Sequence, residues 1–331
     1  MTTPYEFARA LPKAELHIHI EGSLEPEMVF ALAERNAVQP AAGSVVQLRE
    51  RYRFDDLSSF LALYYESMTS LITRQDFADL TEVYLRRAVD QGVRHVELFF
   101  DPQAHAVRGI AIDTVLDGLL DGWQVVQADH DLTGGLIMCF LRDRPVSEAM
   151  DTWRAVSHRL DDLLAVGLDS AEQGYPPSLF AGVFAAARSD GLRAVAHAGE
   201  EGPADYVRQA LDVLGVERID HGVRCLEDAP LVERLRREQI PLTVCPLSNL
   251  RLGVVSDLTE HPLPEMLARG LLATVNSDDP AYFGGYVADN YAAVLEQTSL
   301  SEDDLVLLAR NSITASFAPV ERKSELLAAF P

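Results

Sequence analysis

Residues 11–27 read LPKAELHIHIEGSLEPE, and the fold turns on what this stretch holds and what it lacks. AELHIHI (14–20) is a short apolar run in which His17 and His19 alternate with Leu16, Ile18 and Ile20. A period of two puts both imidazoles on one face of a strand. The run then breaks into EGSLEPE, with none of the glycine-rich phosphate turn that follows the first strand of a doubly wound open sheet. Seven more short runs follow: VRHVELFF (93–100), LTGGLIMCF (132–140), LLAVGLDS (163–170), LRAVAHA (192–198), ERIDHG (217–222), IPLTVCPLS (240–248) and LLATVNSDD (271–279). They are partly β-branched and bounded by Gly, Pro or Asp, as buried parallel strands are. Between them lie stretches of helical periodicity, among them 77–92 and 176–191, each closing near a glycine, and 229–239 and 262–270. Eight strands, each followed by helix, predict an α/β chain folded as a (β/α)8 TIM barrel.

The first connection is too long for one helix and its loops, against a usual βα loop of about 2–6 residues. An insertion after the first strand, spanning about 21–92, accounts for it. Within it RFDDLSSFLALYYESM (53–68) is rich in aromatics and reads either as a lid over one end of the barrel or as a helix covering its side. Phe54, Leu57, Phe60 and Leu61 are its candidates for capping a site.

Composition narrows the function classes. The chain has 331 residues, 48% hydrophobic and 24% charged, which excludes a disordered or fibrous protein. No run approaches the roughly 18 apolar residues of a membrane span, and no secretory leader is visible, so no membrane partner and a cytoplasmic location are expected. Lys and Arg number 28 and Asp and Glu 51, a net charge of −23, so the chain repels polyanions and no nucleic-acid partner is expected. Cys139, Cys225 and Cys245 are odd in number and widely spaced, which excludes a disulfide framework and reads as buried free thiols.

The polar residues fall where a barrel would gather them. His17 and His19 lie in the first strand, His197 ends the fifth, His221 the sixth, and Asp278 and Asp279 the eighth. The C-terminal ends of barrel strands converge on one site. A single strand histidine is ordinarily a hydrogen-bonded core residue, but two at i and i+2 on an inward face need partners, and a metal ion supplies one. Adding His197 and Asp278 gives three nitrogens and one oxygen with room for water, the pattern of a catalytic zinc site. A second metal bridged by a carboxylated lysine is excluded, because no lysine lies between Lys13 and Lys323.

The segments LPKAELHIHIEGSLEPE, AHAGEEGPADYV, RIDHGVR, IPLTVCPLSNLRL and VNSDDPAYFGGY, in this order from residue 11 to about 291, resemble the adenosine/adenine deaminase family of the amidohydrolase superfamily. The resemblance implies a single metal-dependent deaminase barrel domain over 1–331, one Zn2+ per subunit and a small-molecule purine as substrate. It implies His17, His19, His197 and Asp278 as metal ligands, with His19 also beside the substrate. Glu200 of HAGE would donate a proton to purine N1, His221 would handle the proton of the attacking water, and Asp279 would face N7. Gly199 would lie against the substrate. Homo-oligomers are common among such barrels, though no interface patch is legible.

Within the family, adenosine deaminases read HxHLDG, with the Asp on the ribose, whereas this chain has HIHIEG, with Glu21 there. After the fourth strand it reads LDSAEQGYPP, with Ser170, Ala171 and Glu172 where adenosine deaminases carry a glycine-containing turn, which resembles the adenine deaminase branch. That resemblance implies hydrolysis of adenine to hypoxanthine and ammonia. Adenosine, an N6-substituted adenine and 6-aminodeoxyfutalosine are the alternative substrates. Glu172 is the expected base reader, its carboxylate accepting the N–H that free adenine carries where adenosine carries a sugar.

Overall fold

The computed structural model describes residues 2–330. Eight strands form it: β1 Lys13–His19, β2 Val93–Phe100, β3 Thr133–Leu141, β4 Leu163–Asp169, β5 Arg193–Ala198, β6 Arg218–His221, β7 Leu242–Val244 and β8 Ala273–Val275. Each pairs parallel with the next in chain order. The ring closes beyond the end of β8, where the Asp278 N–H donates to the His17 carbonyl and the His19 N–H donates to the Asp278 carbonyl. The expected (β/α)8 barrel is the fold.

Two strands, β7 and β8, cover only three residues of their nine-residue runs. Pro246 cannot donate to a ladder and opens the helix Pro246–Arg251, so β7 stops at Val244 instead of reaching 248. After β8 the chain leaves the ladder at Asn276, whose side-chain oxygen accepts the Leu16 N–H at 2.8 Å. Residues 276–279 are therefore a loop laid across β1, and they carry Asp278 and Asp279 to the barrel mouth.

The segment between β1 and β2 holds helices Pro26–Arg35, Val45–Glu50, Leu57–Ser67 and Arg74–Asp90. Leu57–Ser67 starts at a capping box in which Asp56 accepts the Ser59 N–H. Arg74–Asp90 packs along Ile112–Asp129 as the ordinary covering helix of the first β/α unit. The inserted part is thus shorter than 21–92 and ends before residue 74.

Inside the barrel, Phe99, Ile137, Cys139, Ala165 and Val195 form a small apolar layer of their own. Below it Glu97 of β2 meets Arg218 of β6, and Phe317 from the C-terminal region closes that end with its ring under Arg218. Cys139, Cys225 and Cys245 are all buried and free. Among the described residues no helix is long and apolar enough to cross a membrane.

Candidate active site

The opposite end of the barrel gathers the predicted residues. His17 and His19 point inward from β1 against the Phe99 ring, with ring centroids 5.1 and 5.0 Å from it. His197 arrives from β5, His221 from β6 and Asp278 from the loop after β8. All are buried. His17 Nε2 lies 3.2 Å from Asp278 Oδ1, and His19 Nε2 lies 3.2 Å from His197 Nε2. Ligand atoms of His17, His197, His221 and Asp278 all fall within 4.8 Å of one another, and His19 shares a second such group with Asp278 and Asp279.

The outer nitrogens are held by the barrel wall. Thr243 donates its hydroxyl proton to Asp220 Oδ1 at 2.9 Å, so it accepts from His17 Nδ1 at 3.0 Å. That fixes the ring proton on Nδ1 and turns the Nε2 lone pair to the centre. His19 Nδ1 and His197 Nδ1 lie 3.6 Å from Asp169 and Asp220 respectively. Carboxylates behind imidazoles are the arrangement that orients histidines toward a metal. His17 Nε2 has no hydrogen-bond partner among the described residues. Three inward lone pairs beside a carboxylate want a cation, and nitrogen and oxygen donors in this number suit zinc.

Glu200 borders this cluster, its Oε2 3.5 Å from His221 Nε2. Burial pushes its carboxyl well above the ordinary range, and the negative charges of Asp278, Glu172 and Glu201 push the same way. Burial holds His221 neutral, its pKa down to about 3. Burial, then Asp278 and Asp101, raises Asp279. Gly22 lies under Asp279, where a Cβ would sit 2.0 Å from its Oδ1, so only glycine allows the 21–23 turn to pass there.

A cavity opens between this cluster and the helix Leu57–Ser67. Leu57, Phe60 and Leu61 line it as expected, with Tyr64 and Tyr65 added by the same helix. Phe54 instead packs edge-on against Phe60 and Phe283 and is absent from the lining.

Two expectations are overturned. Glu172 does not face the cavity: its Oε1 accepts the Gly199 N–H at 2.6 Å and its Oε2 accepts those of Glu200, Glu201 and Gly202 at 3.0, 2.9 and 2.8 Å. With both oxygens engaged and the side chain 1% exposed, it has no free face to offer a base. Gly199 likewise has its N–H on Glu172 and its carbonyl under the Arg224 N–H. It serves a turn at φ +74° and is absent from the cavity lining.

The chain's likeness to known proteins agrees with this geometry. A family model described as adenosine deaminase matches residues 12–330. The chain belongs to the adenosine deaminase family. It is 56% identical over 330 residues to an adenine deaminase of Streptomyces coelicolor, covering 100% of this chain and 96% of that protein. The crystal structure of an adenine deaminase from Arthrobacter aurescens superposes with a TM-score of 0.95 at 52% identity, covering 96% of this chain and 98% of that one. An amidohydrolase from Burkholderia ambifaria with bound zinc superposes at 0.91 with 26% identity, covering 99% and 92%.

Against the family pattern, Glu21 is informative. It stands where the family's ribose carboxylate would be, yet it is fully buried and turned from the cavity. Its Oε1 accepts the Asp101 N–H at 3.1 Å and a proton from His105 Nε2 at 2.8 Å. Arg108 donates to His105 Nδ1 at 2.6 Å, which puts the ring proton on Nε2. Sequence reading missed Asp101 and Asp169, which line the cavity from the ends of β2 and β4. The signal was there: an aspartate ends each run, in FFDP and LDS.

Proposed function

We propose that the chain hydrolyses adenine to hypoxanthine and ammonia. The observation that carries this is the buried set of His17, His19, His197 and Asp278, linked pairwise at 3.2–3.6 Å at the barrel mouth, with Glu200 at its edge, in a family member whose relatives of high identity are adenine deaminases. These four residues would hold one Zn2+ per subunit. Bound there, zinc supplies Lewis acidity and makes water nucleophilic near neutral pH.

The chain's own groups do the rest. Water adds at C6, electron density moves to N1, and Glu200 delivers a proton there. Its raised pKa keeps it protonated until that moment. His221, neutral and beside both Glu200 and Asp278, takes the proton of the attacking water and passes it toward the departing amine. Asp279 faces the ring at N7. Leu57, Phe60 and Leu61 cover the purine face and exclude bulk water. Glu21, turned from the cavity, offers a ribose no partner, which favours the free base over adenosine. The buried free cysteines suit a reducing cytoplasm.

The test is spectrophotometric. Adenine, adenosine and isopentenyladenine are assayed side by side, with metal content measured before and after chelation. Adenine should convert to hypoxanthine, activity should fall with the removed zinc, and zinc should restore it. Faster turnover of adenosine than of adenine, or full activity in metal-free protein, overturns the reading.

A further inference from the structure

We propose that Asp101 is a specificity-determining substrate contact, its free carboxylate oxygen accepting a hydrogen bond from the imidazole-ring N–H of a free purine base. The inference rests on the adenine reading above and names the group that enforces it.

Asp101 follows the last residue of β2, and Pro102 at once opens the helix Pro102–Ala106. The chain turns there and leaves the carboxyl in the mouth, lining the cavity at 2% exposure. Its backbone N–H is held by Glu21. One oxygen, Oδ2, receives the Tyr64 hydroxyl at 3.4 Å. The other, Oδ1, has no hydrogen-bond partner among the described residues. The nearby hydroxyls of Tyr65 and Ser170 are bonded to each other at 3.1 Å. A buried carboxylate oxygen without a donor is costly, so the cavity's occupant has reason to supply one.

The cavity has two acidic walls. The charges acting on Glu200 are those of Asp278, Glu172, Glu201 and Arg142. Those acting on Asp101 come from Glu21, His105 and the neighbouring carboxyl of Asp169, which itself backs His19 with its Oδ2 3.6 Å from His19 Nδ1. With Glu200 on the N1 edge, Asp101 and Asp279 are left for the imidazole edge. Free adenine carries one N–H on that ring. A purine substituted at N9 carries none, and shows Asp101 only lone pairs and a carbon substituent. Acceptor against acceptor in a buried site is the kind of mismatch that discriminates strongly. Glu21 completes the logic: where the family resemblance puts a sugar contact, this chain has a residue that holds Asp101 in place.

The probe is 9-methyladenine, which removes the ring N–H while adding only a methyl group. Wild-type kcat/KM for adenine should exceed that for 9-methyladenine by at least about 100-fold. In Asp101→Asn the amide can donate to a lone pair, and the ratio should shrink at least about tenfold, with zinc content and circular dichroism unchanged. An unchanged ratio in the folded variant overturns the proposal. So does comparable turnover of the two substrates by the wild-type enzyme, a result that needs no variant. Wild-type protein inert toward adenine overturns this inference together with the function it rests on, whereas good adenine turnover with no N–H requirement overturns the inference alone.

Discussion

The two ends of the barrel interior use the same residue types and treat them in opposite ways. At the foot, Glu97 has a donor for each oxygen: His95 Nε2 and the Phe317 N–H on Oε1, and Arg218 on Oε2. At the mouth, Asp101, Asp169, Glu200 and Asp279 each keep one oxygen with no partner among the described residues. Arg218 and His95 overcome the effect of burial and pull Glu97 down to about 2, whereas burial and neighbouring carboxylates raise all four mouth acids. Backbone strain divides likewise. Ser170, His221 and Asp278, at the mouth ends of three strands, hold φ of +72°, +62° and +64° without being glycine. The Glu97 carboxylate is fully met by donors, while the acids lining the cavity each leave an oxygen open beside strained strand ends.

The sharpest break of that comparison is Glu200→Gln. An amide keeps the volume but has no proton to give, so kcat should fall by about 10³-fold or more. The thermal midpoint and zinc content should stay near wild type. Retained turnover would return Glu200 to the rank of a buried acid no different from Glu97.

The converse change is Glu97→Gln, which leaves Arg218 buried against a neutral amide. Breaking one side of a buried pair costs about 3–5 kcal/mol, read as a lower urea midpoint, while kcat per folded molecule should hold. Asp101→Asn at the mouth, by contrast, removes an acid that burial and Glu21 already disfavour in its charged form, and should leave the midpoint unchanged or raise it. Acid separates the two ends further. Glu97 is depressed to about 2 from an unfolded value of roughly 4.3, so its contribution is full above that value. As pH falls from roughly 4.3 through 2 the unfolded chain binds the proton first, and the contribution is lost. Glu97→Gln should therefore flatten the acid limb of the stability curve, measured by urea titrations at stepped pH.

The mouth was more legible in the sequence than the foot. His17, His19, His197, His221 and Asp278 announce themselves because polar residues at strand ends interrupt apolar runs. Glu97 and Arg218 sit 121 positions apart, and nothing local says that the ring brings β2 over β6. Asp101 and Asp169 were passed over because an aspartate before a turn reads first as a chain breaker. The strand end at β7 reads long because apolar character continues through Cys245 after the ladder has ended, and that at β8 because the polar residues 276–279 follow Val275 with no glycine or proline to mark the break. Glu172 is legible as a charge but not in its target: a loop carboxylate suggests a ligand, while four backbone N–H groups of the next β/α turn claim it.

That last residue gives the smallest effect and the finest test. Glu172→Gln supplies one accepting oxygen where two accepted four N–H groups, and it turns an amide NH2 toward donors. A buried donor left unmet costs about 1–3 kcal/mol, less than the foot substitution. Glu200 rides on this turn, so kcat for adenine should drop about tenfold as its carboxyl loses a fixed position. KM should change little, since Glu172 does not line the cavity. The ratio of adenine to 9-methyladenine kcat/KM should also stay where wild type has it, because both substrates meet the same loosened acid. A ratio that collapses in Glu172→Gln but not in Asp101→Asn would move the reading of the base from the end of β2 to the turn after β4.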